Sequence, residues 1–188
     1  MIVIPLIILA LLLLSGCLHQ KPAGDVSGLR SAVAERLALI PDVARHKWNT
    51  GAAITDPARE QRLIESAIIK GRQIGIPDQV TRAAIEAQIV ASKQLQEELI
   101  RSWRAAGEGP FVSVPDFAEE TRPKIEVATD QLIQELGAAL NILNTCDAGT
   151  TLRASPKDEL ISEKVWATAA EGLIQSVGGP TKDDCSQG

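Results

Sequence analysis

The sequence predicts an all-α fold, a single-domain helical bundle with a disulfide near its C-terminus. Hydrophobic residues fill 45% of the 188 positions, enough for a core of Ala, Leu, Ile and Val. The residues that accompany them, Ala, Leu, Glu, Gln and Arg, are strong helix formers. Apolar positions recur every three or four residues, and no segment alternates as a half-buried strand does. Once an export signal over residues 1–16 is set aside, 172 residues remain, the size of one domain.

The chain opens with an apolar run over residues 2–14, interrupted only by Pro5. A spanning helix needs roughly 20 apolar residues, so the run suits a signal-peptide core. It leads into Leu14-Ser15-Gly16-Cys17, which resembles a bacterial lipobox, where cleavage precedes a cysteine that carries lipid. An ordinary signal peptide with an incidental Cys17 is the plainer alternative, and the absence of Lys or Arg before the run departs from the usual pattern. Leu18, rather than aspartate, follows the cysteine. The expected location is therefore outside the cytoplasm, in the periplasm, with outer-membrane anchoring if Cys17 is acylated. Residues 17–28, polar and containing Pro22 and Gly24, read as a tether to a domain over 29–188.

Within that domain, Leu29, Val33, Leu37, Ile40 and Ala44 keep helical spacing to about Trp48, and Pro41 is expected to kink or interrupt the helix. Asp56-Pro57 supplies an N-cap and a first-turn proline for a second helix, carrying Leu63, Ala67 and Ile68 and stopping near Gly75-Ile76-Pro77. A longer helix follows from about Asp78 to Trp103, with its stripe at Ile85, Ile89, Leu95, Leu99 and Trp103. Residues 107–115, with two prolines and two glycines, form a connecting loop. Another long helix runs to about Asn144 through Ile125, Leu132, Leu136, Leu140 and Leu143. The last is expected to begin at Ser155-Pro156, with Ser155 and Asp158 as a capping arrangement, and to end at Gly178-Gly179-Pro180. With Cys17 set aside, Cys146 and Cys185 remain, and in an oxidising compartment the pair reads as a disulfide. Closing a loop of 39 positions is worth about 3–4 kcal/mol by chain entropy.

Composition excludes several functions. Nineteen Lys and Arg against 24 Asp and Glu give a net charge of −5, which argues against a nucleic-acid or anionic-membrane binder. Two histidines and three cysteines are too few for a His/Cys metal cluster of the usual spacings. Three Trp, two Phe and no Tyr leave little for a base-stacking platform. No metal, cofactor or nucleic acid is expected. A membrane enters only through Cys17, and a homodimer stays open.

Several polar residues occupy positions where a bundle would place aliphatics. Arg36 and Lys47 are eleven apart, which returns to nearly the same helix face. Asp56 and Arg59, three apart at a helix start, can point the same way. Ser92 and Gln96 are one turn apart on a largely apolar helix, and Arg122 precedes Pro123. Taken singly, each has a plain reading: solvated arginines, a lysine stem lying over Trp48, an N-cap at Asp56, exposed polar positions at Ser92 and Gln96. Periodicity permits them to converge without requiring it. His46, beside Lys47 but on a neighbouring face, reads as packing or surface and is left out of the site.

The stretches Ala34-Glu35-Arg36-Leu37, Val43-Ala44-Arg45-His46-Lys47-Trp48, Asp56-Pro57-Ala58-Arg59 and Gln88-Ile89-Val90-Ala91-Ser92-Lys93-Gln94-Leu95-Gln96 resemble the exported all-helical chorismate mutases, the gamma subclass of the AroQ class. The resemblance runs from about Ser27 to Cys185. Single motifs are weak, but the ordered set Arg-x10-Lys-x8-Asp-x2-Arg, then Ser-x3-Gln and a later Arg, is specific. It implies that Arg36 grips a substrate carboxylate and that Lys47 contacts a carboxylate and the breaking ether oxygen. Asp56 would lie near the substrate hydroxyl, and Arg59 would be the second-helix arginine. Ser92 and Gln96 match a hydroxyl and amide pair, and Arg122 matches the arginine this subclass takes from its own chain. Two departures stand out. Leu63, with Arg62 beside it, occupies the spacing where some relatives have a pocket glutamine, and Gln96 stands where some have glutamate.

The implied activity is rearrangement of the dianion chorismate to prephenate within one chain, by conformer restriction and stabilisation of the ether oxygen. Because this needs no proton transfer or covalent intermediate, clamps and fixed donors suffice. A non-catalytic helical envelope lipoprotein binding a partner or a small anion is the alternative from another class. An isochorismate–pyruvate lyase is the alternative within the same fold.

Overall fold

The computed structural model describes residues 25–186. The signal segment, Cys17 and most of the tether lie outside the described residues. Helix α1 spans Ser27–Ala38 and α2 Ile40–Thr50. The two are separated by Leu39 alone, and Pro41 sits in the first turn of α2, where its missing N–H costs no hydrogen bond. The interruption expected at Pro41 is thus a clean break one residue wide. The first helix starts earlier than Leu29, inside the stretch assigned to the tether, because Val26 is already buried in the core.

Helix α3, Pro57–Gln73, starts at an Asp56 N-cap whose Oδ1 accepts from the Arg59 amide at 3.0 Å. Helix α4, Asp78–Ala106, is the longest and ends at Gly107 with φ 70°, a left-handed position that glycine occupies without a Cβ penalty. After the connector, a π-helical turn, Phe117–Thr121, leads directly into α5, Arg122–Ala139. Helices α6, Cys146–Arg153, and α7, Glu163–Ser176, complete the bundle. Among the described residues no helix is long and apolar enough to cross a membrane.

Helix α4 is the axis of the molecule. It packs against α7 on one side and α3 and α2 on the others, while α1 lies along α5. Its approach to α7 is close because Gly172 faces Ala87, and a Cβ at Gly172 would stand 2.0 Å from the alanine Cβ. The core between them contains Leu29, Leu37, Ile85, Leu95, Leu132 and Trp166, all fully buried. The indole N–H of Trp166 donates to the Leu152 carbonyl at 3.0 Å, so its one polar atom is satisfied. Cys146 and Cys185 form a disulfide with their Cα atoms 5.4 Å apart, pinning the C-terminal segment to the start of α6.

The structure corrects two helix boundaries. The last helix begins at Glu163 rather than Ser155, and its N-cap is Ser162, whose Oγ accepts from the Val165 amide. Ser155 and Asp158 bond locally instead, to the Pro156 carbonyl and the Leu160 amide, and such side-chain bonds compete with helix formation. Helix α5 stops at Ala139 rather than Asn144, and residues 140–144 form turns. Apolar spacing concealed that end because Leu143, beyond it, is still fully buried.

Candidate active site

A cleft of about 210 Å³ opens between α2, α3, α4 and the start of α5. All eight residues singled out in the sequence line it. Helix α1 contributes Arg36, at its buried end, and α2 contributes Lys47. The α2–α3 junction presents Asp56, with Arg59 and Leu63 on the following turns. Helix α4 supplies Ser92 and Gln96 one turn apart, and Arg122 projects from the head of α5. The spacing of eleven between Arg36 and Lys47 survives the break at Leu39, where the backbone stays in the right-handed helical region.

Arg36 is 2% exposed, and no carboxylate pairs with it among the described residues. Its Nε donates to Thr129 Oγ1 at 3.2 Å, and its Nη1 donates to Ser92 Oγ at 2.8 Å and the Gln88 carbonyl at 3.3 Å. Nη2 takes no partner among the described residues. Burial pushes the guanidinium down to about 10, because desolvation disfavours the charged form. Ser92 donates its own hydroxyl proton to the Gln88 carbonyl at 2.7 Å. Its part is therefore to orient Arg36, with no free donor of its own to offer.

Lys47 Nζ donates to the Ile54 carbonyl at 2.7 Å, leaving further donors available. Burial lowers its pKa below the lysine value, and the Arg59 charge lowers it further. Arg59 is likewise lowered, first by burial and then by Arg122. Gln96, 4% exposed, donates one N–H to the Ser92 carbonyl at 2.9 Å, and its Oε1 has no partner among the described residues. Five cations and two carboxylates line the cleft among the described residues, Lys93 and Glu60 being paired with each other at 3.0 Å. A locally cationic pocket thus sits in a chain of net charge −5. Such a pocket suits a small polyanion.

Sequence reasoning missed Glu60, Lys93 and Phe117, and it set His46 aside. The structure places His46 on the cleft wall, its ring stacked on Phe117. Glu60 carried a readable signal, lying next to Arg59 and four residues after Asp56, whose amide donates to Glu60 Oε1. Phe117 carried none, since only the path of the connector brings it to the site. No group of three or more His, Cys, Asp or Glu side chains among the described residues could hold a metal ion.

Residues 28–97, which carry most of this lining, match the family model of chorismate mutase type II. The secreted chorismate mutase of Mycolicibacterium smegmatis is 26% identical over 123 residues, covering 65% of this chain and 67% of that protein. The secreted chorismate mutase of Yersinia pestis is 24% identical over 144 residues, covering 77% and 75%. These matches support an all-helical chorismate mutase type for this chain. The solved chorismate mutase of Burkholderia thailandensis superposes with a TM-score of 0.69 at 29% identity, covering 79% of this chain and 98% of that one. That of Burkholderia phymatum, at 22% identity, shares the fold with a TM-score of 0.72, covering 81% and 98%.

Proposed function

We propose that this chain is an exported chorismate mutase that converts chorismate to prephenate in a site complete within one polypeptide. The observation that carries the reading is Arg36, a buried guanidinium without a carboxylate, facing a cleft that already holds Lys47, Arg59 and Arg122. A buried cation left without a counter-ion is costly unless a ligand supplies the charge. A dianion supplies it twice.

The residue chemistry matches what the rearrangement requires. Arg36 and Arg122 can each present a planar fork to a carboxylate, holding the enolpyruvyl arm over the ring. Lys47 and the second N–H of Gln96 can aim at the ether oxygen as its bond to carbon breaks and negative charge grows there. A fixed donor of that kind is worth about 3–4 kcal/mol in the transition state. Asp56 stands where it can accept from the substrate hydroxyl, and Leu63 closes the wall with an apolar surface. No step moves a proton.

Export agrees with the two secreted relatives, and we propose that residues 1–16 are removed and that Cys17 carries a lipid anchoring the enzyme to the outer membrane. Mass spectrometry of the mature N-terminus tests the anchor. The activity is tested by following chorismate absorbance with the purified domain and identifying the product. Prephenate is expected. Unchanged chorismate would overturn the reading, and turnover of isochorismate to pyruvate and salicylate in its place would move the chain to the lyase class.

A further inference from the structure

Arg59 and Arg122 face the cleft without the contacts that ordinarily hold a guanidinium in place. Neither forms an ion pair among the described residues, and neither side chain donates a hydrogen bond to the protein there. They also repel each other, Arg122 being the strongest charge acting on Arg59. What they share is one aromatic ring. The guanidinium carbons of Arg59 and Arg122 lie 5.0 and 5.1 Å from the ring centroid of Phe117. Against the same ring stacks the imidazole of His46, 4.5 Å away with the planes 15° apart. Phe117 therefore joins α2, α3 and the head of α5 at one point.

We infer that Phe117 is the positioning residue of this arginine pair, holding both guanidinium groups at the cleft through its π face while their N–H edges stay free for the carboxylates of the ligand. A carboxylate in its place would hold the arginines more strongly but would occupy the donors the substrate needs. The ring quadrupole attracts a cation without using its hydrogen-bonding edge. The ring is itself held from two directions. His46 backs it from α2, and the connector before it is tied to α2. There Asn49 Nδ2 donates to the Phe111 carbonyl at 2.8 Å, the Phe111 amide donates to Asn49 Oδ1 at 2.9 Å, and Trp48 Nε1 donates to the Gly109 carbonyl at 3.1 Å. The inference rests on the chorismate reading only for the identity of the anion.

Two substitutions in the full domain test it. Phe117→Leu keeps an apolar side chain and removes the quadrupole, whereas Phe117→Tyr keeps it. The leucine variant is expected to raise KM for chorismate about tenfold with an unchanged thermal midpoint, and the tyrosine variant to stay within about twofold of wild type. A normal KM in the leucine variant, or an equal defect in both, would overturn the inference. A readout independent of activity is the NεH resonances of Arg59 and Arg122, which the ring current of Phe117 should displace. Their displacement should vanish in the leucine variant and persist in the tyrosine one, and resonances that ignore both substitutions would overturn the inference. If the wild type converts no chorismate, the proposed function fails while the resonances still decide the role of Phe117.

Discussion

Arg36 gives the sharpest prediction at the residue scale. Because burial lowers its pKa to about 10, the charged form disfavours folding at every pH below that value. The cost fades only as pH climbs from there toward the higher value at which arginine titrates in the unfolded chain. Its hydrogen-bond partners do not depend on it. Thr129 Oγ1 also donates to the Ile125 carbonyl, and Ser92 Oγ to that of Gln88. Arg36→Met should therefore leave no orphaned buried hydroxyl. Turnover is expected to fall about a hundredfold or more while the thermal midpoint holds or rises, which calorimetry on the ligand-free protein checks. On the proposed reading, Lys47 and Gln96 set the pH profile together. An amide donates without needing a proton from solution, so activity should be flat between about pH 5 and 8, unlike a site relying on a protonated glutamate. Lys47, depressed by burial and by Arg59, loses its proton at a pH below the ordinary lysine value of 10.5. The alkaline limb of kcat/KM, which reports the free enzyme, is expected to fall before that pH, and the limb of kcat later, once the dianion holds the ammonium.

At the scale of elements, the head of α3 serves two ends at once. Asp56 caps the helix through the Arg59 amide and also lines the cleft, so one substitution cannot separate the roles but two can. Asp56→Ala removes both and should cost about 1 kcal/mol of stability along with substrate affinity. Asp56→Asn keeps a capping oxygen and gives up the charge, so its denaturation midpoint should stay near wild type while KM rises. Equal stability loss in both variants would show that the charge, and not the cap, holds the helix start. The break between α1 and α2 has a similar double sense. Pro41 prevents one straight helix, yet it sits where a helix start tolerates it, so Arg36 and Lys47 reach the cleft from two separate helices.

For the whole molecule, the disulfide and the cleft draw on different parts of the chain. The cleft is lined by residues between Arg36 and Ile125, whereas the disulfide joins Cys146 to Cys185. Removing a crosslink over 39 positions should cost about 4 kcal/mol, which for a domain of this size lowers Tm by about 10 °C. Reduced protein, or the Cys146→Ser/Cys185→Ser variant, is expected to melt earlier and yet keep kcat/KM within about twofold at 25 °C. Loss of activity at a temperature where the reduced protein is still folded would place the C-terminal segment in the mechanism.

The sequence alone determined the helical class, the cap at Asp56, the connecting loop that begins at Gly107, and the identities of the cations and of the cysteine pair. These are local properties: a hydrophobic stripe, a capping oxygen or a fixed φ acts within a few residues of itself. Tertiary structure alone decided that Arg36, Lys47, Arg59 and Arg122 share one hollow, that Ser92 spends its hydroxyl on a backbone carbonyl, and that His46 and Phe117 belong to the wall. It also decided where α7 begins, because Ser155 and Ser162 offer similar capping signals. Each of these depends on atoms far apart in the chain. A cation's environment is set by what packs around it, and 36 and 122 become neighbours only after α4 has drawn the other helices onto its sides.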